Sequence, residues 1–195
     1  MNYKDKYTSI QVIDDPTNGL VKLGLIDRVD SDRKSKITNN FVSQIGVLDP
    51  NVLKTVIKKL NDKLPLKTAG EKILGLQYSG VPMATALALE RGSRFVFSTA
   101  TNFGNIQDVF SFTEGHRNNS KYYFYGLEKG DSVIIIEDEV TSGKGMVDLI
   151  KALRIYNVDI VAVCTALETV TFGARDLIKN ETGIDLISLI KIDIN

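Results

Sequence analysis

From residue 72 onward, short β-branched or aromatic runs alternate with segments of helical period. KILGLQ leads into GVPMATALALERG, RFVFS follows, and KYYFYG, SVIIIE and VDIVAVCTAL come next, with MVDLIKALRIYN between the last two. Met146, Leu149, Ile150 and Leu153 fall on one helical face, while Val133 to Ile136 is a continuous β-branched run suited to a strand buried on both faces. Strands alternating with helices predict an α/β fold: a doubly wound, mainly parallel sheet with helices on both faces. Upstream, LDPNVLKTVIKKLNDKL predicts an amphipathic helix, capped by Asp49, opened by Pro50 and apolar at Val52, Val56 and Leu60. YTSIQVI and GLVKLGLI suggest short strands, with DRVDSDRKSK an exposed loop. Thr99 to about Ser120 has no sustained period and reads as a long loop. ARDLIKNETG predicts a helix ended by Gly183, and IDLISLIKI a closing strand.

The run SVIIIEDEVTSGKG brings two kinds of chemistry together. Glu137, Asp138 and Glu139 emerge at the carboxyl end of the buried strand, and Thr141, Ser142, Gly143, Lys144 and Gly145 form the turn that opens the next helix. A helix N-terminus offers unpaired N–H groups and a positive dipole, and glycines let those groups close around a phosphate. Carboxylates repel that phosphate, so they should hold something else on the same ligand. A ribose diol donates hydrogen bonds to carboxylates, and Mg²⁺ takes oxygen ligands, usually together with waters and substrate phosphates. The ATP-binding P-loop fails on spacing: its first glycine would be Asp138 and its closing hydroxyl residue Gly145.

A second turn, Gln77-Tyr78-Ser79-Gly80, also joins a strand to a helix, and in a doubly wound sheet it lines the same carboxyl edge. The N–H groups of Ser79 and Gly80 are available there for a second anion. In the long loop, SFTEGHRNNSK gathers Glu114, the only histidine, His116, then Arg117 and Lys121 into one titratable set.

At 195 residues, with 43% hydrophobic residues, the chain suits one α/β domain with a small appendage. Lys plus Arg and Asp plus Glu number 24 each, so no global charge draws it to nucleic acid or to anionic membrane. The single Cys164 lies in an apolar run and reads as a buried structural thiol. No run reaches membrane-spanning length, and the N-terminus lacks the apolar core of a signal peptide, so cytoplasmic residence is expected.

Four apolar residues, Glu-Asp, two more, then Thr-Ser-Gly-Lys-Gly resemble the phosphoribosyl pyrophosphate signature of type I phosphoribosyltransferases, particularly the orotate branch. Tyr78, Ser79 and Gly80, with Gly80 opening Gly-Val-Pro-Met-Ala-Thr, look like the family's pyrophosphate loop and the helix start that follows it. Two departures stand out: Gly145 replaces a usual Thr or Ser, and FVFSTATN lacks the basic residue often found after that strand.

The resemblance implies one phosphoribosyltransferase domain over 1–195, with segments 1–45 and 184–195 forming a hood. It implies transfer of ribose 5-phosphate from phosphoribosyl pyrophosphate to a nitrogen base, orotate leading, with release of pyrophosphate. Glu137 and Asp138 would bind the ribose hydroxyls and stabilise an oxocarbenium-like transition state. Thr141, Ser142, Gly143, Lys144 and Gly145 would anchor the 5-phosphate, and Tyr78, Ser79 and Gly80 the pyrophosphate. Glu114, His116 and Arg117 would sit on a closing lid, the first two as catalytic candidates. Mg²⁺ would be held mainly through the substrate, with Glu137 and Asp138 as candidate ligands, and the assembly would be a homodimer. Two other readings of the same residues are a non-catalytic phosphoribosyl pyrophosphate-sensing regulator and a phosphoribosyltransferase for a purine or another base.

Overall fold

A computed structural model describes residues 6–29, 34–43, 45–107, 109–114 and 120–195. In chain order the elements are β1 (Ile10–Asp14), β2 (Leu23–Asp27), β3 (Ser35–Asn39), α1 (Pro50–Asn61), β4 (Lys72–Gly75), α2 (Gly80–Arg91) and β5 (Arg94–Thr99). They continue with β6 (Phe110–Glu114), β7 (Ser120–Phe124), β8 (Ser132–Val140), α3 (Lys144–Ile155), β9 (Asp159–Thr169), α4 (Ala174–Thr182) and β10 (Leu186–Ile194). Eight strands form one sheet in the order β1-β10-β9-β8-β4-β5-β7-β6, and β2 and β3 form a separate antiparallel pair.

The five central strands, β10, β9, β8, β4 and β5, are parallel, as the continuous apolar runs predict. Antiparallel strands flank them: β1 on β10, and β7 on β5 with β6 outside it. The residues of α1 and α2 bury into one face of the sheet together with Ile73, Ile134 and Ile136. Those of α3 and α4 bury into the other face with Leu74, Val133 and Ile135. Helices therefore cover both faces, and the α/β, doubly wound, mainly parallel fold stands as expected.

Several elements follow directly from sequence chemistry. Asp49 Oδ1 accepts from the N–H of Asn51 at 2.8 Å and caps α1, whose Val52, Val56 and Leu60 are buried. Gly183, at φ 74°, ends α4 in the left-handed conformation. Cys164 is fully buried in β9, and burial pushes its thiol well above the usual range.

The structure differs from expectation in three places. Residues 110–114 are a strand: Phe110 and Phe112 bury their rings while Ser111 and Thr113 turn away, a two-residue alternation too short to stand out in the surrounding loop. Ser35 and Lys36 belong to β3, with the Ser35 Oγ accepting from the Tyr7 N–H at 2.9 Å, so DRVDSDRKSK is not loop throughout. Segment 184–195 supplies β10 within the main sheet, with Leu186, Leu189, Ile190, Ile192 and Ile194 buried, and β1 pairs along it. Among the described residues, β2 and β3 are the strands that stand apart from that sheet.

Candidate functional site

Strand order reverses between β4 and β8. The connection β4-α2-β5 steps outward in one direction and β8-α3-β9 in the other, so the turns after β4 and β8 diverge and leave a crevice at their carboxyl ends. The two motifs singled out in the sequence are these turns. Register fixes the alignment, since Gly75 pairs with Ile136, the residue before Glu137.

The turn after β4 is held close to the strand ends. The Gln77–Tyr78 peptide is cis, and the Gln77 N–H donates to Ser98 Oγ, at the end of β5, at 2.8 Å. A Cβ on Gly75 would stand 2.3 Å from the Gly80 carbonyl oxygen and 2.7 Å from Ala84 Cβ. A Cβ on Gly80 would stand 3.4 Å from Glu137 Oε2. Glycine at both positions lets the first turn of α2 approach the strand ends this closely. Tyr78 is 71% exposed at the tip. Ser79 occupies the N-cap of α2 but makes no side-chain cap; its hydroxyl hydrogen-bonds the Asp138 carboxyl and so joins the two motifs.

The acidic strand end is longer than the sequence suggested. β8 continues through Glu137, Asp138 and Glu139 to Val140, with Glu137 beside Thr165 and Glu139 beside Leu167 of β9. Asp138 is the electrostatic focus. Loss of solvent, reinforced by the Glu139 charge, raises its carboxyl from 3.8 to about 6, against opposing contributions from the Glu139 backbone, Lys36 and Ser79. Lys36, on β3, thus brings positive charge from the two-stranded pair to the acidic edge.

The turn after β8 leads into α3. Thr141 Oγ1 donates to Glu139 Oε1 at 2.9 Å. Gly143 is the N-cap of α3 at φ 73°, with no side-chain cap, and a Cβ there would lie 3.1 Å from both Ala174 Cβ and its carbonyl oxygen. Ser142 is half-buried, Lys144 opens the helix exposed to solvent, and Gly145 follows it in the first turn. The turn thus combines positive φ, a helix N-terminus and a rigid wall on one side, all of which suit an anion held by backbone N–H groups.

Other candidate residues fall elsewhere. Glu114 ends β6 opposite Ser120, beyond the Thr99–Tyr123 pair that marks the carboxyl end of β5, so this hairpin projects past the edge that carries the two turns. His116 and Arg117 lie outside the described residues. Arg94, the basic residue at the start of β5, pairs with Lys72 at the opposite end of that strand and is removed from the site. Sequence reasoning missed Ser98 as the anchor of the first turn and Lys36 as the cation facing Asp138. Each lay in a segment read as ordinary loop or strand end.

No family model matches the chain. It is 28% identical over 155 residues to a hypoxanthine/guanine phosphoribosyltransferase of Methanothermus fervidus, covering 77% of this chain and 78% of that protein. Among solved structures, an adenine phosphoribosyltransferase of Giardia lamblia superposes with a TM-score of 0.67 at 18% identity, over 89% of this chain and 94% of the other. Leishmania donovani UMP synthase superposes with a TM-score of 0.55 at 20% identity, over 90% of this chain and 34% of that longer one. With this sheet order and these neighbours, the chain has the fold of the type I phosphoribosyltransferases, and its sequence resembles enzymes named phosphoribosyltransferases.

Proposed function

We propose that the protein transfers ribose 5-phosphate from phosphoribosyl pyrophosphate to a purine base, of the hypoxanthine and guanine kind, and releases pyrophosphate. One observation carries the transfer: two backbone anion turns, 78–80 and 141–143, flank Glu137 and Asp138 where the strand order reverses. A ligand with a phosphate at one end, a ribose diol in the middle and a pyrophosphate at the other matches that spacing of donors and acceptors. The preference for a purine rests on the sequence relatives, which are named for hypoxanthine and guanine; the orotate expectation lacks comparable support.

In this reading Thr141, Ser142, Gly143, Lys144 and Gly145 cradle the 5-phosphate, and Tyr78, Ser79 and Gly80 cradle the pyrophosphate. Glu137 and Asp138 accept hydrogen bonds from the ribose hydroxyls and favour the positive charge that develops as the glycosidic bond loosens. Among the described residues, no group of three or more acids, histidines or cysteines is arranged to hold a metal. The carboxylates at 137 and 138 fit a Mg²⁺ held chiefly through the substrate's pyrophosphate, which the ion would neutralise as it leaves. Glu114, with His116 and Arg117, closes over the reaction from the β6–β7 hairpin and keeps water out. A homodimer and cytoplasmic residence complete the proposal, the dimer supported by the exposed Phe95 and Phe97 on one face of β5.

A second reading, a phosphoribosyl pyrophosphate sensor without catalysis, draws on Gly145 and on the neutral Ser98-Thr99 after β5. A pyrophosphate-release assay with hypoxanthine, guanine, adenine and orotate, each with phosphoribosyl pyrophosphate and Mg²⁺, separates the readings. Release with hypoxanthine or guanine alone supports the proposal. Release with orotate alone overturns the choice of base, and binding without release with any base leaves the sensor.

A further inference from the structure

The connection between β9 and α4 holds a polar cluster for which the proposed chemistry has no direct use. Glu168, near the end of β9, is buried, and its carboxylate accepts from Arg175 Nε at 3.0 Å and Arg175 Nη2 at 2.5 Å. Ser188 Oγ, on β10, donates to Glu168 Oε2 at 2.5 Å and accepts from Arg175 Nη2 at 2.9 Å. Arg175 Nη1 donates to the Leu186 carbonyl oxygen at 2.5 Å. One guanidinium therefore ties the first turn of α4 to two strands through a planar fork that Lys cannot reproduce.

Both ends of the cluster touch the turn after β8. Glu168 pairs in register with Val140, the residue that precedes Thr141. Ala174, next to Arg175, is the wall against Gly143, with its Cβ, carbonyl oxygen and Cα all 3.1 to 3.2 Å from where a Cβ on Gly143 would be. The turn is thus held at its start by backbone pairing with Glu168 and at its end by the residue beside Arg175. The pair is half-buried, with the Arg175 side chain 39% exposed and that of Glu168 4% exposed, so solvent screening on one side and desolvation on the other leave it little net stability, and geometry is the more economical reason for it.

We propose that Arg175, Glu168 and Ser188 form a positioning device for the turn that receives the 5-phosphate: Arg175 fixes Ala174, and Ala174 fixes the N–H groups around Gly143. The inference rests on the phosphoribosyl pyrophosphate reading. It assigns these residues no contact with the substrate; they act through the turn.

The chain supplies its own control. Arg91 makes a fork of the same geometry to Glu71, more deeply buried than that of Arg175, with Nε to Oε1 at 2.6 Å and Nη2 to Oε2 at 3.1 Å, at the end of α2 remote from both anion turns. Arg175→Lys and Arg91→Lys remove the same geometry and keep the charge. Calorimetric titration with ribose 5-phosphate and with pyrophosphate, both with Mg²⁺, is the test.

Arg175→Lys should raise the Kd for ribose 5-phosphate roughly tenfold, the scale expected when a binding group is displaced by a fraction of an ångström. The Kd for pyrophosphate should stay within about twofold, because the other turn shares no partner with this cluster. Arg91→Lys should lower Tm and leave both dissociation constants alone. If Arg175→Lys does not fold, the isosteric Glu168→Gln carries the same comparison. Equal weakening of both ligands, or no change in either, overturns the positioning role. Wild-type protein that binds neither ligand overturns the reading beneath it, and the two failures are thereby distinct.

Discussion

Replacing Asp138 by Asn should abolish transfer and make the protein more stable at neutral pH. Asn keeps the shape and an oxygen to accept from Ser79, but it carries no charge to desolvate. The carboxyl is raised from 3.8 to about 6, so the folded state binds its proton more tightly than the unfolded chain does. Folding is then favoured most when Asp138 is protonated, and stability is lost as pH rises from about 4 to 6. Roughly two units at 1.36 kcal/mol each give a ceiling of about 3 kcal/mol. Some of the Asp138 residue still meets solvent, and we expect about 2 kcal/mol within that ceiling. That should raise Tm by several degrees at pH 7.5, and the gain should vanish below about pH 4. Thermal unfolding of both proteins from pH 4 to 8 measures it. A gain that is absent, or equal at every pH, would refute the assignment of Asp138 as a desolvated, electrostatically burdened group.

In the wild-type enzyme, kcat/KM for phosphoribosyl pyrophosphate should fall as pH drops through about 6, since protonated Asp138 accepts ribose hydrogen bonds poorly; a flat profile from pH 5 to 8 would contradict this. Gly143→Val places a β-branched side chain at φ 73° against Ala174, so it should cost about 2 kcal/mol or more in strain and eliminate measurable phosphoribosyl pyrophosphate binding; unchanged calorimetric affinity would show that the turn does not hold phosphate. Ser98→Ala leaves the Gln77 N–H without its acceptor, and the pyrophosphate Kd should rise about fivefold, with ribose 5-phosphate affinity unchanged. His116→Ala should lower turnover much more than it weakens substrate binding; normal turnover would make it an ordinary surface residue.

The parallel core was legible because each central strand is a continuous apolar run and each crossover helix has a helical period. At the antiparallel margin YTSIQVI and KYYFYG were legible as the strands β1 and β7, whereas β6 was not. β6 offers only Phe110 and Phe112 as an inward pair, inside a stretch rich in Asn, Gly and Ser, and its partner strand confers most of its order. Both strand-to-helix turns were legible from glycines and hydroxyls at strand ends. What escaped was support from afar: Ser98 holds a turn twenty-one residues earlier in the chain, and Lys36 reaches Asp138 from a different sheet. Glu168, the penultimate residue of VDIVAVCTALET, gave one missed hint, because a buried carboxylate demands a partner, and Arg175 was seven positions away.

The pairing of β1 with β10 has a consequence for how the molecule is made. Thr8 and Asn195 are hydrogen-bonded although 187 positions separate them, and Ile10 pairs with Ile194. Such a contact closes nearly the whole chain into a loop, and during synthesis it cannot form until the last strand has left the ribosome. The parallel core can assemble on the nascent chain, whereas the N-terminal strand, and the β3 segment that Tyr7 helps to hold, must wait for the C-terminus. A stalled or prematurely terminated chain would therefore carry the turns after β4 and β8 on an unfinished sheet, with Leu186 to Ile194 missing from one edge and β9 open to aggregation.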